Sequence, residues 1–205
     1  MALVKYNNNS ISDVTSAASF PAGAMTLIST TTASSSSTVS ITSGIDNTYP
    51  IYLFKFIDIH ASNDDVHFQF NASDDTSSHS YDVTKTTTVF TAYHNEAGSD
   101  AALNYQTGSD IAQGTGFQRL TAGDTLADNN DRSLAGFLYL FNPSSTTFVK
   151  HFIAETTVSG ASNYNSHPFV SGYFNTTSAI TALQFKAASG NIDSGTIKLY
   201  GIKDS

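Results

Sequence analysis

The sequence predicts an all-β chain, folded as a single jelly-roll-like β-sandwich of about nine or ten antiparallel strands. Three observations carry this. Of seventeen acidic residues only Glu96 and Glu155 are Glu, and Asp favours turns where Glu favours helices. Ser, Thr, Asn and Gly are abundant between the apolar stretches. Short apolar runs with a period of two recur at the spacing of a sandwich.

Residues 1–48 are poor in charge and rich in Ser and Thr, and residues 1–30 are expected to form an extended N-terminal arm. Val39 and Ile41 alternate with Ser40 and Thr42, which predicts a short strand. In "YPIYLFKFIDIHAS", residues 49–62, Ile51, Leu53, Ile57 and Ile59 fall on one face and Tyr52, Phe54 and Phe56 on the other. Both faces are apolar, so this strand should be central and covered on both sides, with Lys55 and Asp58 reaching solvent or a neighbouring subunit. Val66, Phe68 and Phe70 alternate with His67 and Gln69, predicting a half-buried strand that pairs with its predecessor as a hairpin.

"SYDVTKTTTVFTAYH" reads as one long or two short strands after a polar loop at 73–80. Residues 95–110 have no clean period and predict a crossing loop with a helical turn around Ala101 to Tyr105. "FQRLTAGD" is a weak strand, and "LAGFLYLFNPSSTTFVKHFIAETTVSG" predicts a hairpin turning at "NPSS". "PFVSGYFN", "SAITALQFKAAS" and "GTIKLYGIK" complete the set, the last two expected to pair as a hairpin that closes a sheet.

The 205 residues fit one domain, 1–205, and 14 Phe with 10 Tyr supply a core. A net charge of −8 with only nine scattered Lys and Arg argues against nucleic acid. No apolar run is long enough to insert in a membrane, and the N-terminus lacks the apolar stretch of a Sec signal. With no Cys, stability rests on packing or assembly. No internal repeat, heptad or collagen-like register points to a fibre shaft.

Ser194 to Gly201, "SGTIKLYG", resembles a C-terminal strand that recurs in structural proteins of tailed bacteriophages, and the first 60 residues look similar to N-terminal portions of virion proteins of marine phages. The resemblance implies a virion component of the head-decoration or tail-fibre-like β-sandwich type, made in the host cytoplasm and located on the particle surface.

The six histidines, His60, His67, His79, His94, His151 and His167, show no helical metal spacing, although His60 and His67 would converge across a hairpin. Asp-rich turns at 63–65, 73–75 and 124–131 offer oxygen ligands suited to calcium but lack the loop pattern of a calcium-binding hand. The two Glu residues suggest no glycosidase pair, and no G-x-S-x-G elbow is present. Tyr93, Tyr105 and Tyr164 are candidates for stacking on sugars or anchoring an interface. Asn71 and Asn175 match the glycosylation pattern, which carries no meaning in a phage protein.

No catalytic, cofactor-binding or metal-binding residue is assigned, and no enzyme activity is expected. The expected function is a capsid-bound decoration or cement protein, a homo-oligomer with a trimer as first expectation, whose partners are the major capsid protein or tail proteins. The alternative is a tail-fibre or tail-tip domain recognising a host surface glycan or protein.

Overall fold

The computed structural model describes residues 24–203, and no helix lies among them. The strands are β1 (Met25–Ser36), β2 (Val39–Ile41), β3 (Ile51–Ala61), β4 (Phe68–Ser73), β5 (Lys85–Asn95), β6 (Ala101–Tyr105), β7 (Gln118–Arg119), β8 (Leu134–Phe141), β9 (Lys150–Ser159), β10 (Tyr164–Phe174), β11 (Ala182–Ala187) and β12 (Ile192–Ile202). They form a sandwich of two antiparallel sheets: a large one in the order β1-β12-β3-β8-β9-β10-β5-β6, and a small one in the order β2-β11-β4-β7.

The all-β sandwich agrees with the sequence reading, with twelve strands among the described residues against nine or ten expected. The weak strand expected in "FQRLTAGD" is the two-residue β7, and one of the extra strands is β1, whose first residues fall in the expected arm. The other is β6, where a helical turn was expected. It extends the large sheet's edge after a tight turn in which the Asn95 carboxamide oxygen accepts from the Ser99 and Asp100 amides, at 2.9 and 3.0 Å. Four of its five residues are exposed, so no apolar period marks it. Of the expected arm, residues 25–30 belong to β1, and residues 1–23 lie outside the described residues.

Both hairpins expected around the sheet-changing segments are corrected. β3 and β4 lie in different sheets, β4 pairing with β11 and β7. β11 and β12 also lie in different sheets, and β12 runs inside the large one between β1 and β3 rather than closing it. The reason is geometric: a sandwich can pass the chain between layers through a short corner, and alternation in each strand is the same whichever neighbour it takes. The β8–β9 hairpin, turning through Asn142 to Ser145, is as expected.

A bulge changes which face of β3 meets the core. Pairing with β8 shifts between Phe56 and Ile59, and Asp58 has φ of 51°. The extra residue brings Ile59 and Ala61 onto the core face with Tyr52, Phe54 and Phe56, leaving Ile57 exposed. Gly195 of β12 sits opposite with φ of +126°, and a Cβ there would lie 2.7 Å from the Asp58 carbonyl oxygen. The bulge therefore requires glycine at 195.

The core is an aromatic stack between the layers. Phe185 of β11 lies within 5.5 Å of Phe54 and 5.3 Å of Phe56 on the large sheet, and 6.0 and 6.2 Å from Phe68 and Phe70 on its own. Phe70 reaches across to Phe152 at 5.2 Å, edge to face. Four short strands cannot cover eight, and the segment 120–127 covers part of the remainder. It buries Leu120, Ala122 and Leu126, and its carbonyls accept hydrogen bonds from Thr156 (2.6 Å) and Ser166 (2.7 Å) of the large sheet.

Two lysines are fully buried on either side of Phe174, which pairs with Lys85 on one side and Lys150 on the other. Lys85 Nζ donates to the carbonyls of Gly116 (2.6 Å) and Val83 (3.1 Å), and Lys150 Nζ to those of Phe148 and Thr176 (3.0 and 3.1 Å). Burial pushes Lys85 down to about 8, opposed by Asp82. Burial also lifts the Tyr52 hydroxyl to about 12.

Phe185→Ala should destabilise the fold by about 3–5 kcal/mol, read as a lower midpoint in urea, because it empties the centre of the stack. Between pH 8 and 10 the folded chain binds fewer protons at Lys85 than the unfolded chain, so stability rises with pH. Above 10 the folded chain retains the Tyr52 proton that the unfolded chain loses, so stability falls. The thermal midpoint should therefore gain roughly 2–4 °C from pH 8 to 10 and decline towards pH 12. Lys85→Met should reduce the rise to the part owed to Lys150, which burial also lowers, while keeping the decline, as followed by calorimetry.

Candidate functional site

Two surfaces stand out from the rest of the fold. The first is the outer face of the large sheet, where side chains alternate away from the core. Phe137, Tyr139 and Phe141 of β8 form a ladder of rings with centroids 5.3 and 6.1 Å apart. Cross-strand pairing places Leu53 and Ile153 on either side of Tyr139, and Lys55 and Glu155 on either side of Phe137. Further along, Phe169 stacks on Phe90 at 4.7 Å and on the His167 ring at 4.4 Å. Ile153 is 44% exposed and Phe90 38%, so this face is both apolar and open.

Its charges are few. Lys55 lies over the Tyr200 ring at 5.4 Å, and Glu155 lies 3.6 Å from His167 Nε2. A shallow groove of about 450 Å³ crosses β9, β10 and β5 where Ser171 and Thr88 put small side chains between Ile153 and Tyr173.

The outer face of the small sheet is different. Asn71 is buried there and donates to the carbonyls of Tyr81 (2.6 Å) and Thr115 (2.8 Å), so two loops lie across β4. Lys186 covers the Phe117 ring at 4.2 Å, and Gln184 donates to Ser40 at 2.9 Å. This face is polar and already partnered.

The second surface is a cleft where β5, β6 and β10 run past the end of the small sheet. Two hollows of about 380 and 360 Å³ share Gln106, Gly123 and Ser162. One is walled by His67, Arg119 and Asp124, the other by Tyr93, Asn104 and Tyr164. The Tyr93 and Tyr164 rings meet edge to face at 5.5 Å. The Tyr164 hydroxyl donates to Asp100 at 2.9 Å, which raises its pKa, and the Asn104 amide donates to the Tyr93 oxygen at 3.3 Å.

His67 bonds Thr121 Oγ1 through Nδ1 at 2.8 Å, and burial, reinforced by the Arg119 charge, pushes it down to about 4. It is neutral near pH 7. Asp124 accepts the Thr125 amide at 2.8 Å through Oδ1, while its buried Oδ2 has no partner. Aromatic faces beside paired amides, hydroxyls and a carboxylate are groups that bind polyhydroxylated ligands.

The other sequence candidates disperse. His60 Nε2 contacts the Asn129 carbonyl at 3.1 Å and Nδ1 lies 3.6 Å from Asp193, whereas His67 faces the cleft, so the pair expected across a hairpin takes separate partners. Asp75 accepts the amides of Ser77, Ser78, His79 and Ser80, with Ser80 contributing most to holding its carboxyl well below the usual range. It organises its own turn. The turns at 63–65 and 124–131 meet through a Val66–Leu126 bridge, with the Asp128 amide donating to Asp64 at 3.0 Å. Among the described residues no three His, Asp or Glu side chains are grouped to hold a metal ion.

Tyr93 and Tyr164 converge in the cleft, while Tyr105 lies on the outer face opposite Phe90 and donates to Asp110 at 2.7 Å. Sequence reasoning missed Glu155, whose significance lies in its cross-strand neighbours, and Asp124 as a cleft residue rather than a turn ligand. No protein-family model, curated protein or solved structure matches this chain.

Proposed function

We propose that this chain is a non-enzymatic structural component of a phage particle, a head-decoration or cement protein held at the particle surface by protein–protein contacts. The observation that carries the reading is the outer face of the large sheet. An open array of Phe, Tyr and Ile on a regular sheet is the composition of an interface core, and large exposed apolar patches mark interaction surfaces. The contrast with the polar, loop-covered small sheet makes the exposure specific to one face. The likeness of Ser194 to Gly201 to phage structural strands supplies the particle, and Gly195 and Gly201 of that stretch have structural duties. Gly195 permits the bulge, and a Cβ at Gly201 would lie 2.3 Å from the Tyr49 ring. Assembly adds stability to a cysteine-free domain, because binding of the folded state shifts unfolding.

A second reading is a tail-fibre or tail-tip domain that binds a host surface glycan, favoured by the Tyr93–Tyr164 cleft with its amide and carboxylate lining.

The copy number per particle separates the two. Mass spectrometry of purified virions should find the chain at an abundance comparable to the major capsid protein, and the purified chain should co-sediment with tail-free heads. Absence from heads would end the decoration reading. For the glycan reading, binding on an array of host polysaccharides should fall roughly tenfold or more in Tyr93→Ala, and an array on which the unaltered chain binds nothing would remove it.

A further inference from the structure

The aromatic face of the large sheet is complementary to itself. β8 is the fourth of the eight strands, with β3 and β9 beside it, β12 and β10 next, and β1 and β5 beyond. Turning one copy by 180° about an axis that runs along β8, just above the sheet, sets β3 of that copy over β9 of the other. It also sets β12 over β10 and β1 over β5, while every residue keeps its own cross-strand row.

Along the row through Phe137, the residues in order are Lys198, Lys55, Phe137, Glu155 and Phe169. The rotation brings Lys55 over Glu155, Lys198 over Phe169, and Phe137 onto its own image. Along the row through Tyr139, Tyr200 comes over Ser171, and Ile153 comes over Leu53, which is only 3% exposed and lies beneath the surface of its own sheet. The large ring of Tyr200 thus faces the shallow groove that the small Ser171 leaves. Large side chains meet small ones, and a cation meets an anion, at matched positions on both halves.

We propose that two copies of this chain pair through the outer faces of their large sheets, about a two-fold axis over β8, with Lys55 of each opposite Glu155 of the other. Packed sheets lie about 10 Å apart and rotated by about 30°, a gap that Lys and Glu side chains reaching from opposite sides can bridge. One strand from the axis, that rotation displaces a side chain by only about 2–3 Å.

Charge also selects a second copy. The chain carries −8 overall, which repels like copies, but the charged side chains in these two rows are Lys55, Lys198 and Glu155. The carboxylate contacts among the described residues, His60–Asp193 and His167–Glu155, both at 3.6 Å, leave both lysines without a carboxylate. The strands from β1 to β5 and three side-chain rows cover about 34 by 20 Å, roughly 700 Å² per copy. A stable interface buries about 800 Å² per partner.

The inference rests on reading this face as a protein contact and gives its occupant as a second copy. Light scattering coupled to size exclusion should give twice the 21.8 kDa chain mass. Lys55→Glu and Glu155→Lys should each weaken the dimer roughly tenfold or more, and the double exchange should restore it. Circular dichroism spectra of all three variants should match the unaltered chain, and the single variants should have thermal midpoints lower by the contribution of the lost dimer, a gap that closes on dilution.

A monomer, a trimer, or single variants that leave the mass unchanged would overturn the pairing. So would a double exchange that stays monomeric while folded. A monomer that still co-sediments with heads, but loses that binding in Lys55→Glu, would overturn the pairing by giving the face to another particle protein, with the particle reading intact. A dimer absent from heads would leave the pairing standing and end the decoration reading.

Discussion

Everything in this fold depends on the aromatic contact between the two sheets at Phe185. The ring bridges Phe54 and Phe56 of the large sheet and Phe68 and Phe70 of the small one, and Phe152 and Phe174 extend the stack through Phe70. Edge-to-face rings fill the space between sheets at crystal-like density. With no disulfide, this packing carries the load that a smaller core would share with covalent links.

The unequal sheets follow from that core and shape the surfaces around it. Four short strands cover the middle of an eight-stranded sheet, and the 120–127 segment continues the cover by docking its carbonyls on Thr156 and Ser166. Where that cover stops, β5, β6 and β10 protrude and the cleft opens between them and the loops. On the far side nothing among the described residues covers the large sheet, and its side chains settle against each other as a flat aromatic layer. The buried lysines fit the same scheme: each caps carbonyls that no strand partner reaches, which keeps the edge of the core satisfied at the expense of a charge held in a dry place.

Much of this was legible in the chain. Asp and Asn at turns and period-two apolar runs announce the sandwich, and β2, β5, β8, β9, β10 and β12 all fall where the pattern placed them. The two-faced apolar character of β3 correctly marks a central strand, flanked by β12 and β8, but the cover expected on both faces lies on one: the small sheet packs on the inner face, while on the outer one Ile57 is 39% exposed. What failed was β6, whose exposed residues carry no period, and the phase of β3 after Phe56, which the bulge at Asp58 reverses. A bulge adds one residue to one strand, and only the partner strand reveals it.

The sequence by itself determined the fold class, most of the strand positions and the residues able to fill a core, because alternation and turn chemistry are local. The pairing of strands was decided in the tertiary structure. β4 and β11 left their sequence neighbours for the small sheet because each needed an inner face opposite the aromatic face of β3, and a period of two cannot say which layer a strand joins. The same holds for the surfaces that bear on function. Lys55, Phe137 and Glu155 are unremarkable in three separate stretches of chain, and become a charged, aromatic row only when β3, β8 and β9 lie side by side.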